Sequence, residues 1–201
     1  CQIEIDLLKN PIGKQDQYAV SYGGLNFIGF NSDDTVDVHP ILLAEEVKKN
    51  LEEGLSLFFI GNIRNSNDIL KEQKANIKNN KSHFKKIEKM VLLANELREI
   101  LLQGKLNHFG EILHESWMLK RELSCHITNS AIDNYYKKAR KAGGIGGKIL
   151  GAGRGGFLLI YSPPQYKTKI QKALDLKRLD FSLDREGTKV IFTDNYYQPR
   201  S

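Results

Sequence analysis

Cysteine is nearly missing: Cys1 and Cys125 are the only two in 201 residues. Two thiols make no disulfide framework, so a reducing cytoplasm is the expected compartment. No apolar run is long enough to span a bilayer, and no signal-peptide pattern opens the chain; a membrane is not an expected partner. The five histidines (His39, His83, His108, His114 and His126) show no metal-ligand spacing. His114-Glu115 lacks the second histidine of a zincin helix, so no metal site is expected. Repeats, low-complexity tracts and long linkers are absent too.

What remains is an ordinary globular composition, 40% hydrophobic and 27% charged, with a net charge of +6. That length supports one domain with a real core, or one and a half small ones. The positive balance suits anionic ligands without choosing among them. Lysines 71, 74, 78, 81, 85, 86 and 89 cluster, but Glu72 and Glu88 interrupt them and no aromatics are interleaved. The cluster reads as a solvated helix face, and nucleic acid is not the expected partner.

The most distinctive stretch is Gly146 to Phe157, which holds six of the chain's 17 glycines. So dense a cluster implies a tight turn or a close backbone approach to a ligand, and phosphate is the usual anion for such loops. Gly151-x-Gly153-x-x-Gly156 satisfies the dinucleotide fingerprint literally. That fingerprint needs a helix next, whereas Phe157–Tyr161 is short, apolar and bounded by Ser162-Pro163-Pro164, which reads as a buried strand. The P-loop pattern fails as well: Ala142 stands five residues before Gly147, and Ile149 stands where Ser or Thr would hold magnesium. Strand, glycine loop, strand is the reading, and a ligand-free glycine hairpin is the plain alternative.

The form Gly146-Gly147-Lys148-Ile149-Leu150-Gly151-Ala152-Gly153-Arg154-Gly155-Gly156-Phe157 resembles the C-terminal glycine motif of the GHMP kinases, a family of small-molecule kinases. The resemblance implies that Gly151, Ala152, Gly153, Arg154, Gly155 and Gly156 lie beside the transferred phosphate. Arg154 stands where glycine is common; it is strained if the site needs a positive φ, and otherwise faces the phosphates.

Near the start, Asn10-Pro11-Ile12-Gly13 breaks the chain, and Lys14 to Tyr22 reads as a short helix closed by Gly23-Gly24. Taken alone, Asp16 is a plain first-turn carboxylate, favoured there by the helix dipole. Pro11 through Tyr18, with Tyr22-Gly23-Gly24-Leu25-Asn26, resembles the segment carrying the catalytic aspartate in the heptose-phosphate kinases of that family. The resemblance makes Asp16 the base that takes the proton from the attacking sugar hydroxyl. Lys14, Gln15, Gln17, Tyr22 and Gly23 would then line the sugar, Lys14 either holding Asp16 ionised or standing near the phosphates. Gly61-x-x-Arg64 after a buried strand resembles the same enzymes. Arg64 would grip the substrate's own phosphate, with a surface arginine as the alternative. Leu113 to Arg121 also resembles them; Lys120 and Arg121 are candidate anion contacts, with helix-surface charges as the plainer reading.

The remaining elements follow from periodicity. Strands are expected at 25–30, 35–39, 55–60, 148–150 and 157–161, with a hairpin of 179–184 and 188–192. Helices are expected near 42–53, 67–80, 82–103, 105–123, 131–142 and from Pro164 to Leu174. In the helix at 82–103, Phe84, Ile87, Val91, Ala94, Leu97 and Leu101 recur at core spacing.

The fold expected is α+β: a GHMP kinase C-terminal domain, 41–201, with an antiparallel sheet and helices on one face. Residues 1–40 are the expected edge of an N-terminal domain. The resemblance implies ATP with Mg2+ and a sugar phosphate as substrates, and phosphorylation of the anomeric hydroxyl in a surface-polysaccharide precursor. The chain begins at Cys1, with no capping residue before Ile3, Ile5, Leu7 and Leu8. It is therefore expected to be a truncated or split product, with the family's glycine–serine nucleotide loop and magnesium ligands before Cys1. A catalytically inactive remnant and a basic nucleic-acid-binding module are the competing classes.

Overall fold

The computed structural model describes residues 1–10, 12–61, 81–124, 127–151 and 155–192. They part into two units: residues 1–12 with 42–182, and residues 13–41 with 183 onward.

The larger unit opens on a π-helical turn, Ile3–Leu7, with no buried residue. Helix α2 (Glu45–Gly54) leads into strand β3 (Leu55–Phe59). Helices α3 (Lys81–Leu102), α4 (Leu106–Arg121) and α5 (Ser130–Lys141) follow. The start of α5 is fixed by Asn129, whose side chain accepts from the Ile132 N–H at 2.9 Å, satisfying one orphan donor of the first turn. Strands β4 (Gly146–Ile149) and β5 (Phe157–Tyr161), helix α6 (Lys167–Leu174) and the short β6 (Arg178–Leu179) complete it. The sheet order is β4-β5-β3-β6, antiparallel at every pair. Phe58, Ile149, Leu158 and Ile160 from the sheet meet Trp117, Ile132 and Ile170 from the helices in one core. That placement needs the alternation of strands and the 3.6-residue spacing of helices to agree, and they do.

The smaller unit holds α1 (Gln15–Tyr22) and a hairpin of β1 (Asn26–Phe30) and β2 (Val36–Pro40), paired from Asn26↔Pro40 to Phe30↔Val36. No residue of these three elements is buried.

Two expectations are corrected. Residues 180–192 contain no strand, so the expected hairpin is absent. Val190, Ile191 and Phe192 are exposed, so no apolar face drives pairing. The segment spends its backbone on α1 instead: the Thr188 N–H donates to Val20 and Ser21 carbonyls, and the Gly24 N–H donates to Asp184. On α3 the packed face is rotated. Leu93, Ile100 and Leu101 are buried, while Phe84 and Val91 are exposed. The apolar positions on α3 are spread too widely for spacing alone to choose the stripe that packs. The helix expected at 67–80 lies outside the described residues.

Candidate active site

In the larger unit the glycine loop joins β4 to β5. Leu150 continues the ladder, its N–H donating to the Phe157 carbonyl at 2.9 Å. Gly151 then takes φ +75 and Gly156 takes φ +84, both in the left-handed region that side chains disfavour. A Cβ on Gly151 would have open space around it. Gly155 and Gly156 are buried at the base. Two bonds of 2.9 Å pin that base to the end of β3: Gly156 N–H to the Gly61 carbonyl, and Ile60 N–H to the Gly156 carbonyl. Ala152, Gly153, Arg154 and Arg64 lie outside the described residues.

Helix α4 lies against β4 because both carry glycine where they meet. A Cβ on Gly146 would fall 1.7 Å from the Gly110 carbonyl oxygen and 2.9 Å from the His114 nitrogen. Further along the same helix, His114 Nδ1 lies 2.8 Å from the Tyr136 hydroxyl of α5, with the rings stacked at 8°. Burial pushes the Tyr136 phenol up to about 12, against the lowering pull of Arg140, Arg121 and the Gly147 amide. Burial, then Arg140 and Arg121, hold His114 below its ordinary value, which favours the neutral imidazole beside the phenol. Arg121 pairs with Asp133 at 2.8 Å. At the end of the helix the Lys120 ammonium donates to the Gly151 carbonyl at 2.8 Å.

Sequence reading missed this node. It preferred helix-surface charges for Lys120 and Arg121 and took His114 only as a failed metal motif. The signal was available in the spacing: His114, Trp117 and Arg121 stand at i, i+3 and i+7, on one helix face.

In the smaller unit, α1 gathers most of the other candidates. Asp16 stands in its first turn and is exposed, with Gln15 exposed beside it and Gln17 half-buried. Lys14 precedes the helix. Its ammonium lies 3.4 Å from Asp34, in the β1–β2 turn. That pairing differs from the expected one with Asp16. Tyr22 is exposed at the end of the helix and stacks on Tyr18 at 6.3 Å between centroids. Gly23 ends α1 at φ +63, where a Cβ would lie 2.3 Å from the Gly187 nitrogen. Among the described residues no three of His, Cys, Asp or Glu gather as a metal site, and no helix is long and apolar enough to cross a membrane.

Residues 97–178 match the family model described as GHMP kinases C terminal. That stretch is similar to the C-terminal domain of the GHMP kinases. Beyond that domain, the chain is 32% identical over 183 residues to the D-glycero-alpha-D-manno-heptose 7-phosphate kinase of Campylobacter jejuni, covering 88% of this chain and 53% of the relative. A solved D-glycero-D-manno-heptose 1-phosphate kinase of Bacteroides thetaiotaomicron is 25% identical with a TM-score of 0.66, covering 95% of this chain and 53% of that one. The galactokinase of Lactococcus lactis, solved with galactose, shares the fold at 16% identity and a TM-score of 0.65, covering 94% and 59%. The chain thus spans about half the length of the heptose kinases it matches. The α+β GHMP fold expected from the glycine motif is the fold present, and the relatives are sugar kinases.

Proposed function

We propose that this chain supplies the GHMP C-terminal domain and the base-bearing segment of an ATP-dependent sugar kinase, acting on the anomeric hydroxyl of a heptose phosphate. The observation that carries the reading is the glycine loop. It is held at both ends, a Cβ at Gly151 would meet open space, and it sits in a stretch similar to the C-terminal domain of kinases. Such a loop suits polyphosphate, because N–H donors fixed in advance need no reorganisation when charge develops on the transferred group. ATP brings the phosphoryl group, and Mg2+ travels with its phosphates. Asp16 takes the proton of the attacking hydroxyl; its exposure leaves the carboxylate open to a ligand. Gln15, Gln17 and Tyr22 offer donors and acceptors to a polyhydroxyl substrate, and Lys14 and Arg64 offer cations to its phosphate. The family setting is the cytoplasmic synthesis of surface-polysaccharide precursors.

The test joins this chain to the half of the Campylobacter jejuni enzyme that it does not cover. ADP release is then followed with Mg2+, ATP and heptose 7-phosphate. The expected outcome is release that requires both the sugar and Mg2+. Release indifferent to the sugar, with both units folded, would contradict the reading.

A further inference from the structure

We propose that Lys120 is a positioning residue of the phosphate loop, acting through the carbonyl of Gly151. The argument begins with register. Helix α4 and strand β4 touch at Gly110 and Gly146 and run in the same direction from there. Ten residues of helix advance about 15 Å, and five residues of strand advance about 17 Å. The two paths therefore arrive together, one at Lys120 and the other at Gly151, where the 2.8 Å bond forms. The His114–Tyr136 pair ties α4 to α5, and the Arg121–Asp133 pair fixes the last turn of the helix.

The contact falls on the residue with which the loop leaves the ladder. Gly151, at φ +75, is the first loop residue beyond the ladder, and no side chain of its own restrains it. A planar peptide fixed at its oxygen is fixed at its N–H as well. A charge-assisted bond from Lys120 thus chooses the way the loop leaves β4. The cation also suits the C-terminal end of a helix, where carbonyls face outward. This role rests on the reading of the loop as a phosphate site.

Hydrogen exchange of the backbone in the joined enzyme tests it, comparing the peptide 146–161 with the peptide 55–59 as an internal control. In Lys120→Met, exchange at the loop should rise about tenfold without ligand, the size expected of one charge-assisted bond. Protection of the loop by millimolar MgATP should need about tenfold more nucleotide. Lys120→Arg should restore both to within about threefold, since guanidinium can still reach the carbonyl. Gly151→Ala, which disturbs the same peptide without touching the helix, should reproduce the MgATP defect while 55–59 stays protected.

Parent-like exchange and parent-like MgATP protection in Lys120→Met would overturn the role of Lys120. So would faster exchange with unchanged nucleotide protection, because the residue would then be structural only. Absence of MgATP protection in the parent joined enzyme would overturn the kinase reading and the positioning role with it.

Discussion

In the unit of residues 1–12 and 42–182, Phe58, Leu158 and Ile160 are wholly buried; in the other unit no residue of α1, β1 or β2 is buried. The first unit rests on apolar burial, and its glycine loop hangs from a four-stranded sheet braced by α4. The second rests on a two-stranded ladder, the approach of Gly23 to Gly187, and the Tyr18 ring edge against Phe30 at 5.9 Å. A lone hairpin is marginal in water. The contrast teaches that the glycine loop and the Asp16 segment have different foundations. Stability should be lost through the first unit. Activity should be lost through either.

The largest expected effect tests the core side of that contrast. Phe58→Ala should cost about 3–5 kcal/mol, because a ring and its packing disappear together. Trp117, the chain's single tryptophan, reports the loss directly as a lower urea midpoint of its fluorescence. A midpoint near the parent's would mean that the core is not what holds this unit.

Gly156→Val comes next. Placing a β-branched residue at φ +84 costs about 1–3 kcal/mol and disturbs the bonds to Gly61 and Ile60. In the joined enzyme the KM for ATP should rise at least about tenfold, while the Trp117 transition remains cooperative. Unchanged ATP kinetics would make the loop structural only.

The third effect tests the other unit. Phe30→Ala removes a half-exposed ring and one edge contact, worth about 1 kcal/mol. The Trp117 midpoint should not move, while exchange at β1 and β2 should quicken. A shift in both would join the two units energetically.

The smallest effect is one of pH. His114 is held below its ordinary 6.5, chiefly by burial, so the unfolded chain takes its proton first as pH falls. The stability from neutral His114 is full above 6.5 and is lost as pH drops through the depressed folded value. The urea midpoint should therefore fall on acidification below about 6.5, and His114→Gln should flatten that slope. A steeper slope in the variant would reverse the sign assigned to the group.

Much of this was legible in the sequence, for identifiable reasons. Gly146 to Phe157 declares itself through glycine density. The antiparallel core strands show as short apolar runs between breakers. The apparent hairpin at 179–192 misled because β-branched residues at Val190 and Ile191 mimic a strand; without burial they do not make one. The packed face of α3 was hidden by apolar residues on several sides. Lys120 was hidden because a lysine on a helix carries no mark of what lies opposite. Its partner is a backbone carbonyl 31 residues away, set by the register of α4 on β4.

The most direct measurement is single-turnover phosphate transfer in the joined enzyme, with Asp16→Asn beside the parent. If Asp16 takes the hydroxyl proton, the rate falls at least about a hundredfold, close to 2.7 kcal/mol of barrier, while sugar binding and the Trp117 midpoint stay as they were. Transfer within a few-fold of the parent would contradict the role given to Asp16 and remove the smaller unit from the chemistry.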